Sequence, residues 1–118
     1  MDARIEIDSK GRKSVRDGCD EPCAIEQGMA ILGGKWTASI LWHLRDEPVR
    51  FNDLARMISG SSKKMVSERL RHLEAHGLIR RTVIETKPVA VSYSITDRGQ
   101  AAIGILEELQ RWTEQHAG

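Results

Sequence analysis

Five stretches of the chain place hydrophobic residues at the three- and four-residue spacing of an amphipathic helix. The predicted helices cover residues 24–32, 36–45, 53–59, 63–76 and 97 to about 115. The first of them carries Ile25, Met29 and Leu32 on one face. Gly33 and Gly34 follow directly and are predicted to end it, since glycine favours the backbone geometry of a helix terminus.

Polar residues mark the starts of the later helices. Asn52 is predicted to cap the third helix and Ser62 the fourth, while Thr96 or Asp97 caps the last. Residues 60–62 (Gly-Ser-Ser) form a tight turn between the third and fourth helices. The apolar residues of the fourth helix share one face and comprise Val66, Leu70 and Leu73. The two helices and their turn therefore indicate a helix–turn–helix pair.

Two runs rich in β-branched residues follow that pair, at 78–85 and 89–95. Residues 86–88 (Thr-Lys-Pro) separate them, so we predict a β-hairpin with a short loop. A third, shorter extended segment is predicted at 49–51. The order of elements is that of a winged helix–turn–helix, an α+β fold that is mostly helical, with the hairpin as its wing.

The last helix carries more apolar residues than one small core requires. They are Ala102, Ile105, Leu106, Leu109 and Trp112. This surplus favours packing against a second subunit. Residues 1–20 lack sustained periodicity and are predicted to be a mobile arm, which leaves 21–118 as the folded domain.

Composition limits the classes of protein that fit. The 118-residue chain is 40% hydrophobic and 30% charged, which argues against both a membrane protein and a disordered chain. Its longest apolar runs reach only three or four residues, and no signal-peptide pattern opens it, so we expect a cytoplasmic protein without a membrane partner. The cysteines and histidines form no complete zinc-binding motif, so we expect no metal site, and no motif indicates a cofactor or an enzyme.

Positive charge is concentrated in one part of the chain. Residues 63–81 carry six basic and two acidic side chains, whereas the rest of the chain has a net charge of −3. This concentration indicates an anionic partner, double-stranded DNA first, although a solvated helix face is the alternative. The candidate DNA-binding residues lie just before the third helix, in the turn after it, on the fourth helix and at the hairpin tip. They are Arg50, Asn52, Ser61, Ser62, Lys63, Lys64, Ser67, Glu68, Arg71 and Lys87.

Two short motifs carry a resemblance to a known family. They are Gly33-Gly34-Lys35-Trp36-Thr37 and Arg50-Phe51-Asn52-Asp53-Leu54. Together with Ser67-Glu68-Arg69-Leu70-Arg71 and Val91-Ser92-Tyr93-Ser94, they make the stretch from Cys23 to Trp112 resemble the HxlR-type family of bacterial winged helix–turn–helix regulators. The resemblance implies a homodimeric transcription factor on a pseudo-palindromic site, with the first and last helices as the dimer interface. It also implies a recognition helix at 63–76 and a wing at 80–93.

Cys23 is the second candidate site. The resemblance implies an oxidant or electrophile sensor at this position, and a helix N-terminus stabilises a thiolate. Glu21 and Glu26 oppose that effect, and a small buried cysteine at the dimer interface is the alternative. A disulfide between Cys19 and Cys23, or one between subunits, remains open.

The sequence is also compatible with other partners and functions. A small-molecule effector between the first and last helices is a further candidate partner. The alternative function is a dimeric protein-interaction module that has the same fold but does not bind DNA. A thiol enzyme using Cys23 is disfavoured, because no motif supplies a base for it.

Overall fold

A computed structural model describes residues 23–116, together with the backbone of two short strands before them. The chain divides into two compact units, residues 1–30 and 31–118. In the first unit, β1 (Ile5–Ile7) pairs antiparallel with β2 (Lys13–Val15), so that Ile5 faces Val15 across the ladder. Neither strand was predicted from the sequence. The remainder of the predicted mobile arm lies outside the described residues, and its mobility stays a prediction.

Five helices and a three-stranded sheet make up the rest of the described chain. The helices are α1 (Ala24–Leu32), α2 (Thr37–His43), α3 (Phe51–Met57), α4 (Lys63–Ala75) and α5 (Asp97–His116). The strands are β3 (Val49–Arg50), β4 (Ile79–Ile84) and β5 (Ala90–Ile95), ordered β3-β5-β4 and antiparallel throughout. The predicted winged helix–turn–helix architecture is confirmed, with α3 and α4 as the helix pair and β4–β5 as the wing.

Two of the predicted caps are present. The Ser62 hydroxyl oxygen accepts a hydrogen bond from the Met65 amide at 3.1 Å, which satisfies a donor at the start of α4. Thr96 caps α5 in the same way, since its hydroxyl oxygen accepts from the Gly99 amide at 3.1 Å. The sequence left Thr96 and Asp97 as equal candidates, and the hydrogen bond selects Thr96.

The predicted cap at Asn52 is wrong. Helix α3 begins at Phe51, directly after Arg50, and no side chain caps it. Arg50 is paired with Ser92 of β5 and holds an extended backbone with φ −73° and ψ 149°. Because the strand ends where the helix begins, Asn52 already lies inside the first helical turn. Helix α2 is also shorter than predicted and begins at Thr37.

Helix α2 and helix α4 bury their apolar faces together. Ile40, Leu41 and Leu44 lie in the core with Val66, Leu70 and Leu73, and each is fully buried. Burying an aliphatic side chain of this size contributes roughly 1.5–3 kcal/mol. Among the described residues, Tyr93 is the only aromatic side chain that is buried, so aliphatic packing dominates the core.

The apolar residues of α5 divide between two faces. Ala102, Ile103 and Leu106 are buried, whereas Ile105, Leu109 and Trp112 are 54–61% exposed. The core therefore uses only part of the stripe that the sequence analysis identified. None of the helices within the described residues is long and apolar enough to span a membrane.

Two glycines of α5 provide a matched test of this packing. A methyl group at Gly99 would overlap the Leu78 carbonyl and the Ile95 side chain, whereas one at Gly104 would enter open space. We expect Gly99→Ala to lower the free energy of unfolding by about 1–3 kcal/mol through overpacking. Gly104→Ala should raise it by up to about 1 kcal/mol, because alanine is the better helix former. Urea unfolding followed by circular dichroism measures both, and equal midpoints for the two variants would contradict the packing described here.

Candidate nucleic-acid interface

A groove between α3, α4 and the wing gathers half of the predicted DNA-binding residues. Arg50, Asn52, Ser67, Arg71 and Lys87 all line it. Arg50 and Asn52 stand at the start of α3, Ser67 and Arg71 on the middle of α4, and Lys87 at the tip of the wing. The groove therefore collects side chains that are up to 37 positions apart in sequence.

Helix periodicity explains how α4 presents Ser67 and Arg71. Residues three and four positions apart lie on one helix face, so the buried Val66, Leu70 and Leu73 turn the opposite face outward. Ser67 and Arg71, four positions apart, share that outward face. A serine hydroxyl and an arginine guanidinium there suit phosphate oxygens or base edges.

The other five predicted residues do not line the groove. Lys63, Lys64 and Glu68 are exposed on α4, and Ser61 and Ser62 belong to the turn before it. The Ser61 hydroxyl donates to the Ile58 carbonyl at 2.7 Å, so its proton already serves the turn. The Ser62 oxygen caps α4 but keeps a proton that can be donated to an anion.

Two arginines that were not among the predicted DNA-binding residues also line the groove. Arg56 lies on α3 and is paired with Asp53, while Arg81 lies on β4 opposite Tyr93 of β5. Arg81 belongs to the basic stretch that the sequence revealed, but only the strand register sets its position. With these two, the groove holds five cationic side chains and one carboxylate, that of Asp53. Such a concave positive surface concentrates anions.

Cys23 lies immediately before α1, and its carbonyl accepts the first helical hydrogen bond from the Gln27 amide at 2.8 Å. It is a free, half-buried thiol at the N-terminus of that helix. Cys19 lies outside the described residues, so a bond between the two cysteines stays a prediction. Across the described residues, no three His, Cys, Asp or Glu side chains meet in a way that could hold a metal ion.

Comparison with known proteins identifies relatives of this chain. Its residues 31–118 match the family described as HxlR-like helix-turn-helix. The HTH-type transcriptional regulator YodB of Bacillus subtilis is 35% identical over 91 residues, which cover 77% of this chain and 81% of YodB.

Two solved structures extend the comparison. A regulator from Porphyromonas gingivalis, assigned to the MarR family, superimposes with a TM-score of 0.77 at 32% identity and covers 86% of this chain and 99% of its own. The redox regulator HypR in its reduced form has a TM-score of 0.76 at 30% identity and covers 80% of this chain and 94% of its own. HypR has also been solved in an oxidised form, and YodB both reduced and after diamide treatment.

The family match covers the helix pair, the wing and α5, and includes every residue of the positively charged groove. The expected family, drawn from the Gly-Gly-Lys-Trp and Arg-Phe-Asn-Asp-Leu motifs, is therefore confirmed. The chain belongs to the HxlR-like helix-turn-helix family and is a DNA-binding transcriptional regulator.

Proposed function

We propose that this regulator acts in the cytoplasm as a homodimer on a pseudo-palindromic DNA site. In this proposal α4 enters the major groove, and the wing follows the adjacent backbone. The observation that carries it is the shared groove, where Ser67 and Arg71 of α4 stand beside Arg81 and Lys87 of the wing. This concentration of cations favours DNA binding over the alternative of an interaction module on the same fold.

The side chains of the groove divide into two proposed roles. Arg71 stands on the outward face of α4 and reads a guanine edge through two parallel hydrogen bonds, with Ser67 beside it. Arg50, Arg81 and Lys87 flank α4 and neutralise phosphates. Lys63 and Lys64 extend the phosphate contacts at the N-terminus of α4, where free amides and the helix dipole also favour an anion.

The apolar residues left exposed on α5 support dimerisation. Ile105, Leu109 and Trp112 follow the i, i+4, i+7 spacing of one helix face and are 60%, 54% and 61% exposed. On α1, Ile25 and Met29 are likewise exposed, at 78% and 63%. A two-fold axis would bury these faces of two subunits against each other and set two α4 helices about one DNA turn apart.

Cys23 is the proposed sensor of oxidants or electrophiles. Its free thiol and its place at a helix N-terminus support this role. So does the similarity of the chain to the redox regulator HypR and to YodB, which has been solved after diamide treatment. In disulfide formation, two thiols release two electrons and two protons to the oxidant. The second thiol is that of Cys19 or of a cysteine in the other subunit, while an electrophile would instead add to the Cys23 thiolate.

We expect Arg71→Ala to weaken binding to the cognate site by about 1–3 kcal/mol, because a bidentate contact to a base is lost. The probe is a duplex selected from a random library by the parent protein, and a scrambled duplex of equal composition is the comparison. Fluorescence anisotropy at fixed salt measures both affinities. Equal weakening on the two duplexes would reject base reading by Arg71.

Lys87→Ala should behave differently from Arg71→Ala. It should weaken binding to both duplexes alike and reduce the slope of log K against log salt by about 0.9, the value for one phosphate contact. Arg98→Ala is the matched control, because Arg98 is exposed but does not line the groove. An unchanged slope for Lys87→Ala would remove Lys87 from the contacts.

Leu109→Glu should convert the dimer to a monomer, since it introduces a charge into the exposed apolar face of α5. Gln110→Glu adds the same charge on a different face of the helix and should leave the dimer intact. Sedimentation-velocity ultracentrifugation distinguishes the two species. A Leu109→Glu protein that sediments as the parent does would show that this face of α5 is not the interface.

Diamide is expected to change the DNA affinity of the parent protein and to leave that of Cys23→Ser unchanged. A Cys19→Ser variant separates the two disulfide arrangements, because it abolishes a bond within the chain and permits one between two Cys23 residues. Anisotropy titrations before and after oxidation give the readout. An equal response of Cys23→Ser and the parent would exclude Cys23 as the sensor.

A further inference from the structure

Two side chains of α4 that do not line the groove bind backbone carbonyls in the last turn of α1 and in the segment that follows it. The Arg69 Nε donates to the Lys35 carbonyl at 2.9 Å, and the His72 Nε2 lies 2.9 Å from the Ile31 carbonyl. A carbonyl oxygen only accepts, so Nε2 of His72 carries the proton. The two bonds span 34 and 41 residues of sequence, and they hold the middle of α4 to two points of one short segment. We name this segment, residues 31–37, the buttress turn.

The buttress turn has an unusual backbone. Gly34 has φ +91° and Trp36 has φ +75°. The left-handed region is common for glycine but uncommon for a residue as bulky as tryptophan. Such a conformation persists only where the surrounding structure enforces it. Two neighbours supply that constraint. The Arg69 guanidinium lies 3.8 Å from the position that a Cβ would take at Gly34, and the Trp36 ring lies 3.5 Å from the corresponding position at Gly60.

The buttress turn thus touches both ends of the region that presents Ser67 and Arg71. Gly60 precedes α4, whereas Arg69 lies at its midpoint and His72 in its second half. At a rise of about 1.5 Å per residue, contacts spread over this length fix both the rotation of a helix about its axis and its shift along that axis. Base reading requires both to be fixed, since a displacement of about 0.5 Å already disturbs a two-bond contact.

We propose that Arg69 and His72 are positioning residues that fasten the recognition helix to the buttress turn and so set its sequence specificity. Neither residue touches DNA. The inference rests on the proposed placement of α4 in the major groove. It also assigns Arg69 differently from the other cations of the basic stretch, because its Nε is engaged by a backbone carbonyl of its own chain.

The test compares His72→Gln with His72→Asn. Glutamine places an amide N–H at the reach of Nε2 and can replace the bond to Ile31, whereas asparagine is too short. Both variants are polar and neutral, so they differ chiefly in that bond. Affinities are measured by anisotropy on the duplex selected by the parent protein and on its scrambled counterpart. The ratio of the two affinities is the readout, because the fraction of folded protein cancels from it.

We expect His72→Asn to lower this ratio by about fivefold to tenfold, the equivalent of one lost hydrogen bond, and His72→Gln to retain it. An unchanged ratio in His72→Asn, or an equal loss in both variants, would overturn the role of His72.

Arg69→Met provides the second arm, with Arg98→Met as the control for loss of one charge. We expect Arg69→Met to lower the specificity ratio while leaving the salt dependence of binding as it is in Arg98→Met. A slope reduced by about one unit relative to that control would identify Arg69 as a phosphate contact and overturn its positioning role.

Arg71→Ala is measured alongside these variants. The results then distinguish a failure of base reading by α4 from a failure of the positioning role of Arg69 and His72. Equal weakening of Arg71→Ala on both duplexes would reject base reading by α4. A selective effect of Arg71→Ala, combined with unchanged ratios for His72→Asn and Arg69→Met, would reject only the positioning role.

Discussion

The packing of α2 against α4 is the contact on which the rest of the structure depends. Ile40, Leu41 and Leu44 of the α2 segment are fully buried with Val66, Leu70 and Leu73 of α4. With few aromatic residues available, aliphatic side chains such as these make up nearly all of the buried core. A helix that buries one face must expose the opposite one, so the same contact that stabilises the fold orients Ser67 and Arg71 outward. Stability and the orientation of these two groove-lining side chains are thus set by one helix with two faces.

The sheet determines what the outward face of α4 meets. Strand β5 lies between β3 and β4, and its Tyr93 pairs with Val49 on one side and Arg81 on the other. This pairing brings the start of α3 and the wing to one groove beside α4. Cations from three separate segments therefore share one groove, and their electrostatic potentials add over distances comparable to the Debye length of about 8–10 Å.

Not every cation of the basic stretch serves the groove. Arg71 and Arg81 line it, whereas Arg69 is turned to the Lys35 carbonyl and Lys63 with Lys64 stand at the N-terminus of α4. Net charge along the sequence correctly indicated an anionic partner. It could not show which cations line the groove and which bond within the chain, because the Arg69 bond is to a backbone carbonyl 34 residues away. Trp36 is a similar case, since its left-handed backbone is stabilised by contacts of the folded chain.

The helices, the wing, the buried face of α4 and the cap at Ser62 could all be predicted from the amino-acid pattern. These features follow from periodicities and capping preferences that act over a few residues. The start of α3 at Phe51, the presence of Arg56 and Arg81 in the groove and the part of the α5 stripe that the core buries emerged only from the folded chain. Each of these depends on pairing or packing between distant segments. A local pattern predicts which residues could be buried together or could place their charges together. Which of them do so depends on how distant segments pack in the close-packed interior.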